Sequence, residues 1–160
     1  MLKTRQIVGL FLLLFIGNYS FGQCPPAEKM IKAAAKTKSA YGVNSQSKTG
    51  ALISGQSYDM AFIAQDNYDY RITVGTMDSK EGTVSFEVYE MITEKDANGK
   101  YAKVKKVIIS SEEAESNTVE FITDKARKLM INVRFDDAED QKPHCVAVLI
   151  EDKKTTKIGL

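Results

Sequence analysis

The chain has 160 residues, 27% of them charged and 43% apolar, and a formal net charge of +1. A chain so near neutrality has no broad basic field to set against phosphates, which excludes nucleic acid as its main partner. One histidine and two cysteines supply too few nitrogen and sulfur donors for a zinc site.

In chain order, residues 1–22 read as a secretory signal. Lys3 and Arg5 form a positive start, "IVGLFLLLFI" (7–16) is the apolar stretch, and Ser20 and Gly22 are the small residues before a cut. That stretch is about half the ~20 residues needed to span a bilayer, and no later segment approaches that length. The mature chain is therefore expected to lack a transmembrane segment and to be periplasmic or secreted. Cleavage after Gly22 removes two positive residues, takes the formal charge from +1 to −1 and leaves Gln23 first. A lipoprotein anchored at Cys24 is the rival. There the bulky, polar Gln23 stands where a lipobox has a small residue.

Export implies an oxidising compartment, so Cys24 and Cys145 are expected to pair and tie the amino-terminal segment to the last strand. A catalytic thiol fits poorly. There is no CxxC, and His144 adjoins Cys145, so on an extended strand the two point to opposite faces. After Pro25 and Pro26, residues Ala27, Met30, Ile31, Ala34 and Tyr41 fall near one stripe at helical spacing. This predicts a short helix laid on an apolar surface, broken by "YGVNSQSKTG".

The hydrophobic period then becomes two. Tyr58, Met60 and Phe62 alternate with smaller or polar neighbours, as do Tyr70, Ile72 and Val74, then Val84, Phe86 and Val88, and later Leu129, Ile131, Val133 and Phe135. Each run predicts a strand with one apolar face. Asn98-Gly99 signals a hairpin. The strand after it, Tyr101 to Ser110, is irregular, which predicts a bulge or burial on both sides. "NTVEFITD" adds Val119 and Phe121, and "CVAVLIED" is apolar on both faces, as befits a central strand or one covered by the helix. With "GALIS" (50–54) the count is about eight strands and one early helix. Residues 23–160 are thus expected to form a single antiparallel, jelly-roll-like β-sandwich domain, with a closed barrel as the second possibility.

"SQSKTGALISGQSYDMAFIAQDNYDYRITVG" followed by "GTVSFEVYE" resembles a family of uncharacterised small exported bacterial β-sandwich proteins. The shared motifs are structural: the Gly55-Gln56 turn, the Asp69-Tyr70-Arg71 strand start and the Val84–Tyr89 strand. A looser similarity is to the pre-peptidase carboxy-terminal β-sandwich modules of secreted proteases. The resemblance implies a jelly-roll-like fold and an accessory binding role, and it carries over no catalytic residue.

Chemistry is sparse. There is no G-x-S-x-G elbow and no phosphate-cradling glycine loop. A hydrolase using paired carboxylates would draw on Glu87 with Glu90, or Asp66 with Asp69. Calcium is the one cofactor with a candidate site, in "FDDAEDQ", where Asp136, Asp137, Glu139 and Asp140 offer hard oxygen ligands but lack EF-hand spacing. "QDNYDY" is a weaker second site, its Asx residues being ordinary turn formers. With no tryptophan in the chain, a glycan platform would rest on tyrosine. Tyr89 is expected to face solvent, and Tyr68 and Tyr101 lie near turns. The sequence therefore points to a non-enzymatic binding or accessory module whose partner is a protein or glycan at the cell envelope, with calcium binding, glycan binding and carboxylate hydrolysis as alternatives.

Overall fold

The computed structural model describes residues 24–31, 40–77, 84–136 and 142–155. Among them are nine strands and two one-turn helices. They run α1 (Ala27–Met30), β1 (Gly42–Val43), β2 (Lys48–Leu52), β3 (Ser57–Ala64), β4 (Tyr68–Thr76), β5 (Val84–Lys95), β6 (Tyr101–Ser110), α2 (Ser111–Ala114), β7 (Thr118–Thr123), β8 (Arg127–Phe135) and β9 (His144–Lys154). The secretory signal expected over residues 1–22 lies outside the described residues, as do residues 32–39 of the expected helix. No helix among the described residues is long and apolar enough to cross a membrane.

All ladders are antiparallel and fall into two sheets. In the first, which we call sheet A, β9 is central: β4 and then β7 lie on one side, while β1 and β2 pair with successive parts of β9 on the other. The second, sheet B, runs β3-β8-β5-β6. From β2 onward every connection passes to the other sheet, except the β5–β6 hairpin. The ladders stay separate, so the fold is a β-sandwich and not a closed barrel.

The alternation in the sequence sets the core. Met60, Phe62 and Ala64 of β3, Leu129, Ile131, Val133 and Phe135 of β8, and Val84, Phe86 and Val88 of β5 are buried against Tyr70, Ile72, Val74, Val146, Val148 and Ile150 of sheet A. Fully burying each large side chain stabilises the fold by roughly 1.5–3 kcal/mol. Tyr70 keeps its polar end satisfied, because its hydroxyl accepts the Gln65 amide hydrogen at 2.8 Å. Tyr58, the second residue of β3, stays 38% exposed.

β9 is apolar on both faces for two reasons at once. Val146, Val148 and Ile150 enter the main core, while Ala147 and Leu149 face outward beneath Ala27 and Ile31 at α1. At the hairpin, Asn98 does not take the positive φ that a two-residue Asn-Gly turn needs; Gly99 alone does, at 80°. The Asp96 carboxylate closes the turn instead, accepting the amide hydrogens of Asn98 (2.9 Å) and Lys100 (2.8 Å). The irregularity expected in β6 is a bulge: Val88 pairs with Ile109 and Tyr89 with Val107, so Ile108 has no partner across the ladder. The alternative, burial on both sides, does not occur, because Tyr101–Ile108 are exposed throughout.

Candidate interaction surface

The two outer faces of the sandwich differ. The amino-terminal segment lies along sheet A. Cys24 is bonded to Cys145, with their Cα atoms 5.5 Å apart, α1 covers Ala147 and Leu149, and β1 pairs with the far end of β9. Between these anchors is a charged cluster. Arg71 Nε binds Glu120 at 2.7 Å and its Nη1 lies 3.8 Å from Glu151, while Tyr41 has its ring under Arg71 (4.2 Å) and Lys153 (4.5 Å). Glu151 is 4% exposed. Burial pushes its carboxyl above the usual carboxylate range; Arg71 opposes that and Glu120 adds to it. Asp69 shifts the other way, held low chiefly by the hydrogen bond from Thr155 (2.5 Å), against its burial and with help from Lys153 (3.3 Å).

Sheet B has an open, polar outer face. Asp59, Asn132 and Tyr89 form a chain across three strands: the Tyr89 hydroxyl and the Asn132 amide both donate to Asp59 Oδ1 at 3.0 Å. Lys105 pairs with Glu87 and sits 4.4 Å from the Tyr89 ring centroid. Beside them is a groove of about 230 Å³ lined by Ser85, Phe86, Glu87, Ser110, Glu112, Asn132 and Arg134.

The third feature projects from the sandwich. The pairing of β5 with β8 ends at Tyr89, yet β5 continues to Lys95 and stays paired with β6 back to Tyr101. This ribbon, Glu90–Lys95 with Tyr101–Lys106, is an arm with no further strand beside it among the described residues. On and beside it are exposed large apolar side chains: Met91 (48%), Tyr101 (75%), Val104 (38%), Val107 (46%) and Ile108 (37%).

The structure disperses the residues singled out from sequence. Tyr89 was expected to face solvent but is only 8% exposed: although alternation turns it outward, Asp59 and Lys105 cover it from both sides. Burial first, and then the Asp59 hydrogen bond, push its phenol above the ordinary value. Its ring is thus no open stacking platform. Tyr68 is half-buried against the core and packs 6.3 Å from Tyr70, which leaves Tyr101 as the exposed member of the three. Glu87 and Glu90 fall on opposite faces of β5, one paired with Lys105 and the other 3.6 Å from Arg127. Asp66 accepts from Asn67 while Asp69 is held by Thr155 and Lys153, so these two carboxylates serve separate contacts.

Of the acidic turn, Asp136 pairs with Arg134 at 2.7 Å, and Asp137, Glu139 and Asp140 lie outside the described residues. Among the described residues no three His, Cys, Asp or Glu side chains cluster as a metal site. His144 packs its ring 4.9 Å from Phe135. Lys105 falls in the lysine cluster 103–106, which reads from sequence as a solvated edge, while its meeting with Asp59 and Asn132 escapes the sequence because they come together only through the strand order β3-β8-β5-β6. The one local trace is Asp59 itself, a charged residue on the polar side of an alternating strand.

No family model matches the sequence, and no curated protein does. Among solved structures, the chain is similar to the crystal structure of PliG from Aeromonas hydrophila, a periplasmic lysozyme inhibitor of g-type lysozyme, with a TM-score of 0.45 and 10% identity over 70% of this chain and 89% of that one.

Proposed function

We propose that the chain is an exported module, closed by its disulfide, that acts by binding a protein at the cell envelope or outside the cell and not by catalysis. The observation that carries this reading is the β5–β6 arm. Exposed apolar side chains at and beside a ribbon clear of its own sandwich are the surface chemistry of protein recognition. The titratable groups elsewhere support the reading, because Glu87, Glu90, Asp69 and Glu151 each sit in ion pairs within the fold. A sulfur that bridges Cys24 to Cys145 is not free for acylation, which favours a soluble exported form over a lipid anchor.

The test is site-directed photocrosslinking in the cells that produce the protein. A crosslinking residue at Tyr101 (75% exposed) is compared with one at Ile122 (68% exposed) on β7. A discrete, protease-sensitive adduct from position 101 and none from 122 is expected. Equal adducts from both positions, or none from 101, would overturn the reading.

A further inference from the structure

The binding reading leaves the chemistry of the partner open. Resting on that reading, we infer that the free edge of β6 receives an acidic, extended segment of a partner protein as an added strand.

β6 ends its sheet, and along an edge strand alternate N–H and C=O groups point outward without a ladder partner. Among the described residues it is also the longest edge strand. The opposite edge of sheet B, β3, is closed at Ile63 by Gln46, whose side chain accepts the Ile63 amide hydrogen (2.8 Å) and donates to its carbonyl (3.1 Å). At the borders of sheet A, β1 has two residues, β2 five and β7 six, against ten in β6.

Charge selects the occupant. β6 contains Lys103, Lys105 and Lys106 and no acidic residue, while the glutamates Glu87, Glu90 and Glu94 stand on β5, the strand behind it. Glu87 compensates Lys105, so the outermost line of charge on the arm owes its basic sign to Lys103 and Lys106. A second copy is a poor occupant. Antiparallel self-pairing about Lys105 sets the two Lys105 side chains opposite each other, and parallel pairing in register stacks every lysine on its counterpart. Side-chain alternation specifies the rest. Lys103 and Lys105 share a face with Tyr101 and Val107, and Val104 and Lys106 lie on the other. Carboxylates at alternate positions, with β-branched residues between them, meet both faces.

The probe is a synthetic peptide of alternating Glu and Val, about eight residues long to match a strand. Its controls are a Lys-for-Glu peptide and a backbone N-methylated version. We expect saturable binding that weakens with added salt, slowed amide exchange at alternate residues of β6, and no binding of either control. The variant Lys103→Glu alters an exposed side chain on the face that meets the carboxylates and should weaken binding by about tenfold or more. Equal binding of the N-methylated peptide would overturn strand addition and leave only a polyanion site, which displacement by heparin or phosphatidylglycerol vesicles would identify. Equal binding of the Lys peptide, or protection away from β6, would overturn the choice of partner. If the peptide fails while Tyr101 still gives its specific protein adduct, the acidic-strand inference falls and the binding-module reading stands; if both fail, both fall.

Discussion

Tyr89 on β5 donates its phenolic hydrogen to Asp59 on β3 at 3.0 Å, reaching over β8, the strand between them. Asn132 of β8 donates to the same oxygen, so one carboxylate ties three strands together on the open face of sheet B. Tyr89→Phe removes one donor and keeps the ring under Lys105. It is expected to lower stability by about 0.5–1.5 kcal/mol, seen as a shift of the urea midpoint at unchanged slope. No shift would mean that the contact adds nothing to what Asn132 supplies.

The bridge from Cys24 to Cys145 closes a separation of 121 residues. In the chain-entropy model a loop of that size restricts the unfolded ensemble by about 4–5 kcal/mol. The double Cys24→Ser, Cys145→Ser variant is expected to unfold at a clearly lower urea concentration, and reductant should move the wild type to match it. Coincident curves for oxidised and reduced protein would refute this.

Ser111 is 7% exposed, and its hydroxyl accepts the Phe86 amide hydrogen at 2.9 Å. Ser111→Ala leaves that buried N–H without this acceptor, at a cost of about 1–3 kcal/mol. Ser110→Ala removes the bond to the Glu113 amide in an exposed turn and is expected to cost less, about 1 kcal/mol. Equilibrium unfolding of the two variants side by side checks the order.

Glu151 should make stability fall as pH rises through the acidic range. Its folded pKa is raised by burial, so between the unfolded and folded values the native state holds more protons than the unfolded chain. Stability then decreases with pH across that window and levels off above it. Glu151→Gln removes this titration, so wild type relative to variant is expected to lose stability from below the usual carboxylate range upward. Asp69 works in the opposite sense, since its lowered pKa adds stability above the unfolded value that is lost on acidification. A wild-type-minus-variant difference that is flat with pH would contradict the assignment to Glu151.

Much of the sandwich was legible because its strands obey a simple period. Leu129, Ile131, Val133 and Phe135 alternate without exception, and all four are fully buried. The double apolarity of β9 also read correctly, since a strand between two covered faces has no polar side. What escaped was either too short or too distant. β1 pairs through only Gly42 and Val43, which gives no period to detect. The turn α2 is too short to show a helical period, although Ser110 and Glu113 carry the S-x-x-E signature, and Ser110 does accept from the Glu113 amide. Tyr89 shows the limit of alternation, which assigns a face to a residue but cannot say what neighbouring strands place over it.

The position of β9 has a consequence for how the molecule comes into being. β1 and β2 make their only ladders among the described residues with β9, β4 needs it on one side, and Cys24 needs Cys145 at its start. A growing chain therefore holds its amino-terminal strands without partners until residues 144–154 have been made. Completion of sheet A waits for β9, and ladders of such long sequence separation close slowly. Sheet B has no such dependence, since none of its ladders includes β9, so the two layers of the sandwich can close in order, sheet B before sheet A.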